Sequence, residues 1–417
     1  MMRKKLLILG ATSETVKMVE RAESMGAETY VADPFEDAHA KKVCSHPVLM
    51  DCFDTDAVCQ LAVSEGIDGV LPGCADILMA PYEEVCERLS LPCYVNKDIV
   101  RVFNNKAGLK RALEGVSLPT VPEYSREEAE SDSFSGYPLF VKPVDNNSSK
   151  GMYIADDRES LETAIEKARS FSRSDTVLIE EVMDCDDFYV GYFLQDGNAA
   201  VTFTGDRYVN KEQKGLGSIT SGIVYPSVHT DLYFDAVHEK MLRLFDSIGF
   251  RNGILNIQGF VRDNKIMFYD PALRITGGQE YMLSKHFYGL DILGALVNLA
   301  LSGSMGDSPL YTLCDHSFSG RCGCNLTFSV RPGTIGRIEG MDYAACDPHV
   351  LNITQEHGPG TVIDRPGTAQ QNFARMHLFA DSREEMKTVI KDLQEHVIAY
   401  DDKGNDMMLK GLDPESI

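Results

Sequence analysis

The stretch richest in usable chemistry runs from Pro138 to Gly151. Pro138-Leu139-Phe140-Val141 reads as a short buried strand that ends at Lys142. After Pro143-Val144-Asp145 comes Asn146-Asn147-Ser148-Ser149-Lys150-Gly151, made largely of turn-forming residues. An ammonium at a strand end beside a loop without bulky side chains can surround a polyphosphate, because backbone N–H groups then reach the anion unobstructed. Acidic groups gather in Ile179 to Asp187, which holds Glu180, Glu181, Asp184, Asp186 and Asp187. Gln258 and Asp270 stand twelve apart, and Arg274 follows four later, ahead of Ile275-Thr276-Gly277-Gly278. His229 and His286 are candidates for acid–base work, although a lone histidine in a patterned segment reads first as structural. Cys322 and Cys324 form a C-x-C with no second pair at zinc spacing, so they read as buried thiols.

The elements that must position these groups follow from periodicity. Residues 4–9 are an apolar run broken at Gly10-Ala11-Thr12-Ser13, followed by Val16, Val19, Ala22 and Met25 at helical spacing. Thr29 to Ala32, a helix over 54–65 and Gly69 to Gly73 continue the alternation, which predicts a parallel sheet covered by helices. Ligands of such sheets bind at the carboxyl ends of the strands, placing Gly10, Asp33 and Gly73 near a cleft. From 137 to about 290 the reading is strands in hairpin-like pairs with helices over 157–171 and 231–248, and a turn at Asp263-Asn264. The last third predicts a small α+β unit with strands 324–330 and 374–379 and a helix over 382–396. Expected domains are 1–98, 99–304 and 305–417, giving an α/β and α+β multidomain chain.

Composition narrows the function. With 43% hydrophobic and 25% charged residues in 417, the chain is globular and long enough for several cores. A net charge of -23 disfavours nucleic acid and anionic membrane as partners, since both need clustered Lys and Arg. The N-terminal apolar run is shorter than a signal requires and no long apolar stretch occurs, and the eleven cysteines are odd in number and scattered. These features predict free thiols and a cytoplasmic location. The first turn lacks G-x-G-x-x-G, and no G-x-x-x-x-G-K-[ST] occurs, which argues against a dinucleotide oxidoreductase and a P-loop kinase.

Taken together, Asn105-Lys106, the Lys142 strand with its loop, the acidic run at 179–187 and the Gln258–Gly278 stretch resemble the ATP-grasp superfamily. The biotin carboxylase, carbamoyl-phosphate and purine-ligase branch is the nearest in pattern. Gly10, Asp33, Asp68 to Gly73 and Leu91-Pro92 look like that family's N-terminal preATP-grasp domain, and Gly320 to Gly340 with Gly358-Pro359-Gly360 look like its small closing module.

The resemblance implies an ADP-forming carboxylate–amine ligase using ATP and Mg2+. Lys106, Lys142, Ser148, Ser149 and Gly151 would meet the phosphates. Glu180, Glu181, Val182 and Met183 would form the adenine hinge, and Asp187 would hold the ribose. Asp270 and Gln258 would bind the metal, and Arg274 with Lys142 would stabilise the transferred phosphoryl group. Two positions depart from the pattern: Gln258 replaces an acid and Ala272 stands where Asn is usual. They motivate an alternative, a nucleotide-binding sensor or non-catalytic partner. The expected partners are a small carboxylate and an amine, with a homodimer as a possible assembly. Lys211 to Gly222, containing Lys214, Gly215 and Gly217, reads either as a lid or as a plain surface loop.

Overall fold

The computed structural model describes residues 3–144, 151–172, 175–210, 212 and 219–417. Four parallel strands open the chain: β1 (Lys5–Leu9), β2 (Glu28–Asp33), β3 (His46–Leu49) and β4 (Gly69–Pro72), in the order β3-β2-β1-β4. Leu6 to Leu9, Val31, Val70 and Leu71 are fully buried, as strands covered on both faces require. The covering helices include α1 (Val16–Ser24), α2 (Thr55–Glu65) and α3 (Met79–Leu89), followed by α4 (Lys97–Phe103) and α5 (Lys106–Gly115). Asp54 caps α2 by accepting from the Ala57 N–H at 3.0 Å, and Gly66 closes it in the left-handed conformation.

A small antiparallel sheet follows, with β5 (Leu139–Pro143) between β6 (Tyr153–Ala155) and β7 (Val177–Glu181), and the helix Arg158–Arg169 packed on it. The largest sheet has eight strands. It begins with β8 (Asp186–Gln195), β9 (Asn198–Asn210), β10 (Ile219–Tyr225), β11 (Gly253–Arg262) and β12 (Lys265–Ala272). It is completed from the last third by β13 (Cys322–Ser329), β15 (Val350–Gln355) and β17 (Asn372–Ala380), in the order β12-β11-β8-β9-β10-β13-β17-β15. The last third also forms a three-stranded sheet from β14 (Gly333–Glu339), β16 (Val362–Ile363) and β18 (Ile398–Asp401).

Two findings refine the periodicity reading. The last third extends the middle sheet, because β10 and β13 pair antiparallel from Gly222↔Leu326 to Tyr225↔Gly323. The segment expected as one helix over 231–248 is helical in three parts, with a π-helical turn at Phe234–His238 between Thr230–Tyr233 and Glu239–Ser247. All eleven cysteines are free thiols, and no helix among the described residues is long and apolar enough to cross a membrane.

Candidate active site

Lys106 is the first residue of α5, where Asn105 caps the helix by accepting from the Gly108 N–H at 2.9 Å. Gly108 lets α4 and α5 meet closely, since a Cβ there would stand 2.1 Å from the Arg101 carbonyl oxygen. The positive end of α5 and its lysine thereby face Lys142 near the end of β5. Lys106, Lys142, Glu180 and Tyr269 line one slot of about 20 Å³. Lys142 pairs with Leu178 across the β5–β7 ladder and Glu180 pairs with Phe140, so the two charged residues are diagonal neighbours. Their side chains are 5% and 8% exposed, and Lys142 Nζ lies 2.5 Å from Glu180 Oε2.

The β11–β12 hairpin sets Gln258 opposite Asp270, after which the register shifts and Gly259 pairs with Phe268. Tyr269 is the extra residue of this bulge, a device that re-aims neighbouring side chains. Its hydroxyl lies 2.8 Å from Gln258 Oε1 and 3.1 Å from Asp187 Oδ1. Asp187 is also ion-paired with Arg207. Burial pushes the Asp187 carboxyl above its ordinary range, against the pull of Arg207 and Tyr269.

Asp270 is open to water yet surrounded by protein on the cleft wall, so desolvation raises its carboxyl. Asp76 adds to that rise, while Lys106, Lys142 and Arg274 oppose it. Arg274 is ion-paired with Asp76, which lies just beyond the carboxyl end of β4. Burial works against the charge on Arg274, but the neighbouring carboxylate outweighs it and holds the guanidinium above its usual value.

Asp270, Gln258, Arg274 and Asp76 line a cleft of about 220 Å³ together with Asn256, Glu280, Asn325 and Arg375. Burial raises the Glu280 carboxyl, which accepts from the Thr276 hydroxyl. The Asn325 side chain is 3% exposed, and its Oδ1 has no partner. Arg375 forms no ion pair among the described residues, and its guanidinium donates to the Gly277 carbonyl. A larger hollow of about 720 Å³ is lined by Asp187, Arg207 and the tail residues Lys410 and Asp413. Lys106, Lys142, Asp270 and Arg274 are not among the residues that line it.

The expected residues therefore fall into groups. Lys106, Lys142 and Glu180 meet in the slot, and Gln258, Asp270 and Arg274 meet in the cleft. Glu180 is taken up by Lys142, and Glu181 pairs with Arg262 at 2.6 Å. Val182 and Met183 are half-buried in the link from β7 to β8. Gly151 has φ +76°, and a Cβ there would stand 2.7 Å from the Phe171 Cβ. Ser148 and Ser149 lie outside the described residues, as do Lys214, Gly215 and Gly217 of the Lys211–Gly222 loop. His229 pairs with Asp186 at 2.9 Å and His286 packs on Phe379, both away from the cleft. Asp33 is occupied in its own turn, accepting from the Ala11 and Phe35 N–H groups at 2.9 and 2.8 Å.

Asp76, Glu280, Asn325 and Arg375 were not found by the motif reading. Asp76 carried a signal, its place just after a parallel strand. The other three are brought in by tertiary folding, with no local pattern to mark them.

Residues 119–225 match the family model described as D-ala D-ala ligase C-terminus. The chain is 23% identical over 326 residues to a formate-dependent phosphoribosylglycinamide formyltransferase of Thioalkalivibrio sulfidiphilus, covering 74% of this chain and 80% of that protein. Two other relatives of that description, from Edwardsiella ictaluri and Aliivibrio fischeri, are matched over 46% and 48% of their length. The structure superimposes on an L-amino acid ligase from Bacillus licheniformis with a TM-score of 0.78 and 20% identity, over 96% of this chain and 100% of that one. It superimposes on the biotin carboxylase domain of the Hydrogenobacter thermophilus 2-oxoglutarate carboxylase, a complex with MgADP and bicarbonate, with a TM-score of 0.73 and 15% identity, over 98% and 92% of the two chains.

Proposed function

We propose that the chain is a ligase of the ATP-grasp type that joins a small carboxylate to an amine at the cleft between Asp76, Asp270, Arg274 and Arg375. The observation that carries this reading is that Tyr269 lines the slot holding Lys106 and Lys142 while its neighbour Asp270 lines the cleft holding Arg274, so one strand end joins the three cations to an acid. Three cations around one acid suit a site that receives a polyphosphate.

The donor set fits a magnesium ion held largely by phosphate oxygens. Gln258 and Asp270 are cross-strand partners and both line the cleft, offering an amide oxygen and a carboxylate, both hard ligands. When bound, the metal supplies charge neutralisation at the phosphates. No group of three His, Cys, Asp or Glu side chains suited to a metal exists among the described residues. A site with one carboxylate is therefore expected to bind the free ion weakly.

In the proposed reaction, a carboxylate oxygen of the substrate attacks the γ-phosphorus and ADP leaves. The amine nitrogen then attacks the acyl carbon, phosphate departs, and the nitrogen releases a proton. Lys142 and Arg274 stabilise charge on the transferred phosphoryl group, and Lys106 holds the phosphates. Arg375, with no ion-pair partner among the described residues, is suited to an anionic group on a substrate, and Asn325 Oδ1 is placed to accept from an N–H group. The proposed roles of Glu181, Val182 and Met183 at adenine, and of Asp187 at ribose, rest on their places in the hinge between β7 and β8. The division at 98/99 and 304/305 is likewise proposed, with the third unit completing the sheet of the second.

The activities of the similar proteins suggest the first substrates to try, among them formate, bicarbonate and amino acids with amine acceptors. Mg-ATP turnover is measured against pools of carboxylates and amines, with ADP and AMP read separately. ADP that appears only with a pool and vanishes in Arg274→Ala is the expected result. AMP as the nucleotide product overturns the acyl-phosphate route. The nucleotide sensor remains the second reading because Gln258 leaves a single carboxylate, and tight ATP binding without turnover in any pool would select it.

A further inference from the structure

Three side-chain donors of the last third converge on two consecutive carbonyls beyond Arg274. On β17, His377 Nε2 donates to the Gly278 carbonyl at 2.7 Å, and Arg375 Nη1 donates to the Gly277 carbonyl. On β13, Asn325 Nδ2 donates to the same Gly278 oxygen at 2.9 Å. Asn325 and His377 face each other as partners in the β13–β17 ladder. His377 is 0% exposed and Asn325 is 3% exposed, so their donors are shielded from water. Since Nε2 donates to a carbonyl, it carries the ring proton of the neutral imidazole, and the buried Nδ1 is left without a partner. A fully buried imidazole with one unsatisfied nitrogen costs stability, which marks its single bond as the feature retained.

The turn these donors hold is short and lies among groups of the cleft. Thr276 bonds Glu280, Gly277 and Gly278 line the cleft, and Arg274 is two residues before Thr276. A glycine pair has little intrinsic preference for one backbone conformation, so its geometry must be imposed from outside. We infer that His377 and Asn325 are positioning residues that clasp the Gly277–Gly278 turn and so fix the Arg274 segment for phosphoryl transfer. The last third would then set turnover through the backbone, while the nucleotide groups Lys106 and Lys142 lie elsewhere. This inference rests on the ligase reading for its consequence in turnover, but the clasp itself can be tested without activity.

The test compares wild type, His377→Leu and His377→Gln. Leucine removes the donor, whereas the glutamine amide can place an N–H near the position of Nε2. Hydrogen–deuterium exchange is read on the peptide covering 274–280 and on control peptides from β13 and β17. The expected result is exchange at least tenfold faster over 274–280 in His377→Leu, unchanged control peptides and restored protection in His377→Gln. With a carboxylate and amine that the wild type turns over, kcat falls about tenfold or more in His377→Leu, while ATP stoichiometry and KM for ATP stay the same. Unchanged exchange over 274–280 overturns the clasp. Faster exchange throughout β13 and β17, or loss of ATP stoichiometry in step with kcat, overturns it in favour of a purely structural histidine. A wild type without turnover defeats the ligase reading and leaves the exchange result to decide the clasp.

Discussion

At the scale of single residues, the site is built from charges that depend on one another. Lys142 and Glu180 are nearly buried, so removing one strands the other in a medium that solvates it poorly. Lys142→Met is expected to destabilise the fold by about 3–5 kcal/mol. The double variant Lys142→Met/Glu180→Gln should recover part of that loss, and urea unfolding of the three proteins measures the coupling. The proposed metal position gives a second prediction. Gln258→Glu supplies the second carboxylate opposite Asp270 and should lower the Mg2+ concentration for half-maximal ADP release about tenfold, ~1.4 kcal/mol. The same variant without metal should melt lower than wild type, because two carboxylates would then face each other. Gln258, Asp270 and Arg274 were legible because their spacing lies within one hairpin and the turn after it. Asn325, Arg375 and His377 were illegible because their significance comes from reaching carbonyls 47, 98 and 99 positions away.

At the scale of elements, the β11–β12 bulge decides what the hairpin offers. Gly259 lies where the register shifts, and a Cβ there would stand 2.9 Å from Phe268 Cδ1 and 3.3 Å from the Met267 carbonyl. Gly259→Ala must therefore displace Phe268 or the β12 backbone, next to Tyr269 and Asp270. The expected cost is about 1–3 kcal/mol in thermal or urea unfolding, with ADP release reduced further than the lost stability explains. The hairpin was readable from its apolar residues and Asp263-Asn264, both of which take left-handed φ in the turn. Strand β9 went unread for a physical reason. Its buried run includes Thr202, Thr204 and Asp206, polar residues held in the interior, so the apolar alternation that signals a strand is interrupted. Asp206 shows why this is tolerated: it accepts from the Val228 N–H at 3.0 Å and pairs with Arg383 at 3.0 Å.

At the scale of the whole molecule, the cleft is closed by contacts between distant parts of the chain. Arg274 reaches Asp76 near the N-terminal sheet, Ser13 donates to Glu356 at 3.0 Å, and His377 holds the turn beyond Arg274. The His377 contact ties the stability of the molecule to pH. Burial drives its imidazole from 6.5 down to about 4, and Arg375 adds to the fall while the Gly278 carbonyl opposes it. In the unfolded chain the same ring takes up a proton near 6.5, so between those values the unfolded state binds more protons than the native one. Stability from this group is therefore complete above about pH 6.5 and is lost as pH falls toward 4, by up to about 3 kcal/mol. Asp187, Asp270 and Glu280 act in the opposite direction, since their raised native carboxyls bind protons more readily than the unfolded chain does. The wild-type profile mixes both slopes, and the informative quantity is the difference between wild type and His377→Gln. That difference should change by up to about 3 kcal/mol between pH 7 and pH 4 in urea unfolding, with wild type losing more on acidification. Parallel profiles would mean that the ring is hydrated in the native state, and the buried contact between the last third and the Gly278 turn would have to be abandoned.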